Sequence, residues 1–219
     1  VGRVRFILCD TRSFRSANSA TDNSSKTMLG TAQKTWLKNE LVQSEPVKVI
    51  TFDAPWIGAP VAGDDDWTSF STERTEIANY ITSNGVKAVI LHGDAHMLAA
   101  DNGSNSPGGI PVFAAAPLHQ TTSFKGGPYS QGFYPNPVGA SGRQAGLVTV
   151  TDSGTAISLA FNGIDDTGTS RITLTVNYSL TGTLSFARVK VWNGSSWVIS
   201  RARYYNGVGF APARPKGYV

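Results

Sequence analysis

The stretch Val86-Lys87-Ala88-Val89-Ile90-Leu91-His92-Gly93-Asp94-Ala95-His96 decides the fold class. It opens on an essentially apolar run, Val86 to Leu91, and breaks at a glycine followed by a carboxylate and an imidazole. A strand that is apolar on both faces belongs in a sheet covered on both sides. In such sheets chemistry gathers in the loops that leave the C-terminal strand ends. Gly93-Asp94-Ala95-His96 stands at such an end. Read as extended chain, Asp94 and His96 lie on one side at i and i+2, so both can point at one ion. Carboxylate plus imidazole suits zinc, iron or manganese. The alternative is a turn with a hydrogen-bonded histidine. His92 belongs to the strand and reads as a core or supporting residue.

Working outward, Val47 to Phe52 is a second such strand, ending at Asp53, and Val4 to Leu8 is a third, ending at Cys9-Asp10. A helix is expected from Gly30-Thr31 through Leu41. Trp36, Leu37 and Leu41 sit at helical spacing, and Thr31 is the expected N-cap. Pro46 closes the connection. A second helix runs from about Ser71 to Ser83, with Ser71 as cap, Ile77 and Ile81 as its stripe and Gly85 as its stop. Pro111 to Ala116 is a fourth strand. Strands alternating with helices over residues 1–120 predict an α/β layered fold, a mixed sheet with flanking helices.

Residues 121–145 are rich in Gly, Pro, Ser and Tyr and read as a long ordered loop or linker. After Gly146 the pattern changes. Leu147 to Thr151, Ala156 to Phe161, Ile172 to Val176, Leu184 to Trp192 and Ser196 to Arg201 read as strands. Asp-Ser-Gly, Asp-Asp-Thr-Gly, Thr-Gly and Asn-Gly turns separate them. The expectation is an antiparallel β module, with Asn206 to Val219 extended.

Composition excludes several classes. The 219 residues are 40% apolar and 16% charged, with 23 Gly and 11 Pro, the balance of a folded, loop-rich protein. The apolar runs are far too short to span a bilayer. A single cysteine, Cys9, rules out an intrachain disulfide and a Cys-rich zinc site. The chain starts at Val1 without a signal peptide and reads as a processed product or a piece of something longer. Residues 1–166 hold 12 Lys/Arg and all 15 Asp/Glu, whereas residues 167–219 hold 7 Lys/Arg and no acid. A basic end of this kind is a solvated surface or docks on an acidic partner. No aromatic-interleaved RNA motif or zinc finger is present, so a nucleic-acid partner is not expected.

Three further places carry chemistry. Asp10-Thr11-Arg12-Ser13-Phe14-Arg15 follows the first strand. An acid and two arginines there fit either a phosphate, which the planar arginine fork matches, or a structural Asp–Arg pair. Asp64-Asp65-Asp66-Trp67 precedes the second helix, where acids are electrostatically favourable without a ligand. A calcium site is the other reading, but the spaced ligands of a known loop are missing. His119 follows the fourth strand and either faces the same site or is structural. No phosphate-binding glycine loop and no Gly-x-Ser-x-Gly occurs, so neither a P-loop nucleotide enzyme nor a serine hydrolase is supported.

Taken together, Leu8-Cys9-Asp10-Thr11-Arg12-Ser13-Phe14-Arg15, Met28-Leu29-Gly30-Thr31-Ala32-Gln33-Lys34-Thr35-Trp36-Leu37, Asp66-Trp67-Thr68-Ser69-Phe70 with Glu73-Arg74, and Gly93-Asp94-Ala95-His96 resemble the PhoD-like alkaline phosphatase/phosphodiesterase family. Order and spacing match over about residues 4–125. The resemblance implies a calcineurin-like metallophosphoesterase with a layered β core, flanking helices and a dinuclear metal site. By it, Asp94 and His96 match the last metal-binding motif, with catalytic and metal roles, and Arg12, with Asp10 and His119, becomes a substrate contact. The metals implied are divalent or trivalent ions: iron, calcium, zinc or manganese. The family's earlier Gly-Asp and Asp-Asp-His-Glu-type motifs are not in this sequence, and two metals need more ligands than two or three residues provide. The expected organisation is a partial PhoD-like domain over residues 1–145 and a β-rich module with a basic tail over residues 146–219. The dinuclear site would be completed by an N-terminal half or a neighbouring chain.

Val189-Lys190-Val191-Trp192-Asn193-Gly194-Ser195-Ser196-Trp197-Val198 resembles the Trp-Asn-Gly-x-x-Trp repeats that end many phage tail proteins. That resemblance implies an extracellular or virion setting, other virion tail proteins as partners, and an alternative role as a non-catalytic structural or host-binding component.

Overall fold

The computed structural model describes residues 2–59, 63–115, 117–119, 121–134 and 142–180, with the strand backbones of residues 188–192 and 197–201. Six strands form one mixed sheet. β1 (Val4–Leu8), β2 (Val47–Phe52), β3 (Lys87–His92) and β5 (Val112–Ala114) are parallel; β4 (Leu98–Asp101) runs antiparallel to β5, and β6 (Phe133–Tyr134) antiparallel to β4. The order is β1-β2-β3-β5-β4-β6, so β1 is an edge strand. β4 went unread in the sequence because Leu-Ala-Ala-Asp is short and carries no β-branched residue.

Helices α1 (Gly30–Leu41) and α2 (Ser71–Ser83) cover one face of this sheet. Leu37 and Leu41 of α1 and Ile77, Ala78 and Ile81 of α2 bury against Ile7, Ile50, Phe52, Ile90 and Val112. The other face is covered by a three-stranded antiparallel sheet, β7 (Gln144–Asp152), β8 (Ala156–Asp165) and β9 (Ser170–Ser179). Strict alternation along β8 turns Ile157, Leu159 and Phe161 inward onto Val47, Val49, Val89, Leu98 and Phe113. Phe113 and Phe161 stack with centroids 5.0 Å apart. The central strands of the mixed sheet are thus buried on both faces, which is why β2, β3 and β5 are largely apolar.

Both helix starts differ from expectation. Thr31 lies inside α1; the amide of Gly30 is instead capped by Thr27 Oγ1 at 2.8 Å. Ser71 is the first residue of α2, and its hydroxyl donates to Asp22, whose carboxylate also accepts the Thr72 amide. For α1 the acceptor sits three residues before Gly30, whereas for α2 it comes from the long segment before α1, which local capping rules cannot see.

The first compact unit runs from Val1 to Leu180 and contains β7 to β9; the second is Thr181–Val219. In the second, β10 (Arg188–Trp192) and β11 (Trp197–Arg201) pair antiparallel with Trp192 opposite Trp197. The expected Asn-Gly turn, the start of the strand read from Leu184 and the extended end Asn206 to Val219 lie outside the described residues. Among the described residues no helix is long and apolar enough to cross a membrane.

Candidate active site at the strand ends

The C-terminal ends of β1, β2 and β3 lie side by side, and each releases an acidic loop. The loop after β1 is held from α1. Gln33 Oε1 accepts the Asp10 amide at 2.8 Å, and Gln33 Nε2 donates to the Asp10 carbonyl at 2.8 Å. Gly30 leaves room for this approach: its φ is +72°, and a Cβ there would lie 3.0 Å from Phe14 Cβ. Asp10 does not pair with the Arg12 side chain. Its carboxylate accepts the amides of Arg12 and Ser13 at 2.8 and 2.9 Å, and the Ser13 side chain first, then these amides, hold its carboxyl below the usual range.

Arg12 is thereby aimed across the strand ends at three carboxylates from other segments. Its Nη1 is 2.7 Å from Asp65, its Nη2 3.0 Å from Asp94 and its Nε 3.7 Å from Asp53. Asp53 follows β2 and is fixed from its other oxygen by the Thr11 amide at 3.0 Å and by the Thr11 hydroxyl. The hydrogen bond from Arg12 holds the Asp65 carboxyl low, and the Arg12 guanidinium is correspondingly stabilised as the cation. The cluster is about a third to a half exposed, so a solute can reach it.

Asp65 is placed by an aromatic anchor. Trp56 and Trp67 are fully buried, meet each other edge-on at 5.2 Å, and both pack on Phe52 at the end of β2. Asp66 next to Trp67 is buried and accepts the Thr68 amide at 2.7 Å; burial pushes its carboxyl up. The acidic triplet therefore divides its work: Asp66 builds the turn and Asp65 faces Arg12.

The Gly93-Asp94-Ala95-His96 loop is not extended. Asp94 and His96 have φ of +64° and +52°, a region that costs an L-residue about 1 kcal/mol. The i and i+2 argument from extended chain therefore does not describe this loop. Strain is kept where the surroundings over-determine it, which is common at functional sites. Here the Ser123 amide donates to the His96 carbonyl at 3.0 Å and the Ser123 hydroxyl to the Ala95 carbonyl at 2.9 Å. The strap carrying Ser123 is itself tied down. The Ala59 amide donates to Lys125 at 3.0 Å, and a Cβ on Gly126 would come within 2.0 Å of Ala59 N. His92 is buried behind the loop, and burial lowers it to about 4, so it stays neutral. His119 is exposed. Cys9 is inert for a related reason: burial, helped by the Asp53 charge, pushes its thiol up to about 12. Native protein is expected to resist a thiol reagent at pH 8 that labels the unfolded chain at once; rapid native labelling would contradict the buried placement.

Every His, Cys, Asp and Glu of the chain lies among the described residues. Among them no group of three or more converges to hold a metal ion. The donors are right in kind for a metal, but the Asp94 carboxylate is engaged by Arg12, so the residues of this chain do not by themselves fit a dinuclear centre.

A family model described as PhoD-like phosphatase matches residues 1–176. The chain belongs to the PhoD-like phosphatase family. The match takes in both helices, the whole mixed sheet and most of the antiparallel sheet packed on it. No curated protein and no solved structure matches the chain. PhoD-like phosphatases are metal-dependent hydrolases in general. Within this PhoD-like chain the residues of the distinctive stretch 28–37 serve the site indirectly: Leu29 and Leu37 are core, Gly30 admits the β1 loop, and Gln33 grips it. Gln33, Thr11 and Ser123 were not read as site residues from sequence. Gln33 was the most findable, being a polar residue one turn into a helix that faces a strand end.

Proposed function

We propose that this chain supplies one side of a metal-dependent site that hydrolyses phosphomonoesters or phosphodiesters. Arg12 contacts a phosphoryl oxygen, Asp94 and His96 act as metal ligands, and Asp10 and His119 lie at the substrate edge. The remaining ligands come from outside these 219 residues, from a further segment or a neighbouring chain. One observation carries the reading: the Arg12 fork meets Asp53, Asp65 and Asp94 where three parallel strands end. Three carboxylates against one guanidinium repel a phosphate unless added cations join them. That is the electrostatic setting in which metal ions both bind the acids and stabilise phosphoryl oxygens. Iron, calcium, zinc and manganese all suit oxygen and imidazole donors to differing degrees.

A second reading is a retired site in a structural or host-binding component of a phage tail. It is favoured by the same guanidinium, which already partners the acids a metal would need. Hydrolysis of bis(p-nitrophenyl) phosphate by protein from its natural source, with bound polypeptides retained, separates the two. The hydrolase reading expects turnover that a chelator abolishes, that added metal restores, and that Asp94→Asn or His96→Ala lowers at least about 100-fold. No turnover with all four metals supplied would favour the retired site.

A further inference from the structure

Two cations beside the Arg12 cluster are still without a role. Arg15 comes from the loop after β1, and its Nη1 lies 3.4 Å from the Asp65 carbonyl. Lys125 comes from the strap that ties down the Gly93-Asp94-Ala95-His96 loop, two residues after Ser123. The Lys125 carbonyl accepts the Ala59 amide at 3.0 Å. A Cβ on Gly58 would lie 3.0 Å from that carbonyl and closer still to Asp66 Oδ2, so the backbone of Lys125 runs against the turn that carries Asp65. Before it, Phe124 stacks on Phe133 with centroids 4.5 Å apart. Both cationic side chains are partly exposed. Every Asp and Glu of the chain lies among the described residues, and none of them forms an ion pair with Arg15 or Lys125. Arg12, by contrast, meets three carboxylates. After the hydrogen bond and charge of Arg12, the charges of Lys125 and then Arg15 help to hold the Asp65 carboxyl low.

We propose that Arg15 and Lys125 form a subsite for a second phosphate group of the substrate, beside the phosphoryl group that Arg12 contacts, so that the favoured substrates are phosphoesters carrying two phosphates on a short linker. That the bound anion belongs to a substrate rests on the hydrolase reading above. A guanidinium already offset by carboxylates adds little attraction for an anion, whereas an unpaired cation at a partly exposed site keeps its field. The pair also combines the two usual phosphate partners, the planar fork of an arginine and the point charge of a lysine. Asp65 fixes the spacing. It gives its carboxylate to Arg12 and its carbonyl to Arg15, so the two anion positions stand about one residue apart, within reach of a short linker. The strap serves both positions, holding the His96 loop through Ser123 and presenting Lys125.

Two diesters test this on protein from its natural source, with bound polypeptides retained and metals supplied: p-nitrophenyl methoxyethyl phosphate, and the same diester with a phosphate in place of the methyl group. The second should have a kcat/KM at least about 10-fold higher, and raising salt should shrink that preference. Arg15→Gln combined with Lys125→Gln should abolish the preference, whereas Arg12→Ala should slow both diesters and keep it. Lys125→Arg retains the charge and should retain the preference; its loss there as well would mark a purely structural lysine and overturn the subsite. Equal kcat/KM for the two diesters, or a preference that the double variant keeps, also overturns it. Binding is read without turnover by titrating inorganic phosphate into the 219-residue chain and following its amides by nuclear magnetic resonance. The amides of Arg15 and Lys125 should shift, and the double variant should bind at least about 10-fold more weakly. The two claims fail separately: turnover without the preference removes the subsite alone, and phosphate held by the pair without any turnover removes the hydrolase reading alone.

Discussion

Arg12→Ala lowers kcat/KM for a phosphodiester by about 10²- to 10³-fold in the metal-loaded protein, the range seen when one preorganised donor to a developing charge is lost. The expectation follows from how the guanidinium is held. Gln33 fixes the backbone of Asp10, the Asp10 carboxylate fixes the amide of Arg12, and the side chain then reaches carboxylates from two other loops. Once metal ions draw the carboxylates away from it, this fork is a fixed cation for an arriving phosphoryl oxygen, so most of the loss should fall on kcat rather than KM. Arg12→Lys should recover only part of the rate, because an ammonium is a point charge without the planar fork. A variant within three-fold of the wild type would reduce Arg12 to a salt bridge on a polar surface. Such a bridge is worth at most about 1 kcal/mol when this exposed.

The largest stability effect is expected at Glu73, not at the site. Glu73 is 1% exposed at the start of α2, and its carboxylate accepts the Thr27 hydroxyl at 2.7 Å and the amide of Met28, with Lys34 3.5 Å away. It stitches α2 to the turn that starts α1, and α1 carries Gln33. Glu73→Ala strands buried backbone and side-chain donors and should cost about 3–5 kcal/mol. For a unit of this size that lowers the melting temperature by roughly 10 °C. Glu73→Gln keeps one acceptor and should lose less. Equal melting temperatures for wild type and Glu73→Ala would show that the two helices are held together by their apolar faces alone. Because Glu73 acts through α1, the alanine variant should also loosen the loop that carries Arg12.

The layered α/β fold was legible because strands buried on both faces leave an unmistakable apolar run, as in Val47 to Phe52 and Val86 to Leu91. The change of pattern after Gly146 was legible for the opposite reason, since the alternation along β8 records one buried face. Less readable was whatever depends on long-range partners. The cap of α2 comes from Asp22, far before the helix it serves. At the site, Asp10, Arg12 and Asp94 were readable as residue types at strand ends. That Arg12 would partner Asp94, 82 positions on, and not its neighbour Asp10 was not readable. The positive φ of Asp94 and His96 was equally hidden, because Gly-Asp-Ala-His has the same letters whether it runs extended or turns.

Metal content per chain tests the central claim most directly. It is measured by elemental analysis on protein from its natural source, with bound polypeptides retained and zinc, iron, manganese and calcium supplied. The account predicts about two ions per chain, the number a two-metal phosphoester site requires, and their loss in His96→Ala. No metal in the wild type, or metal that His96→Ala leaves in place, would contradict it.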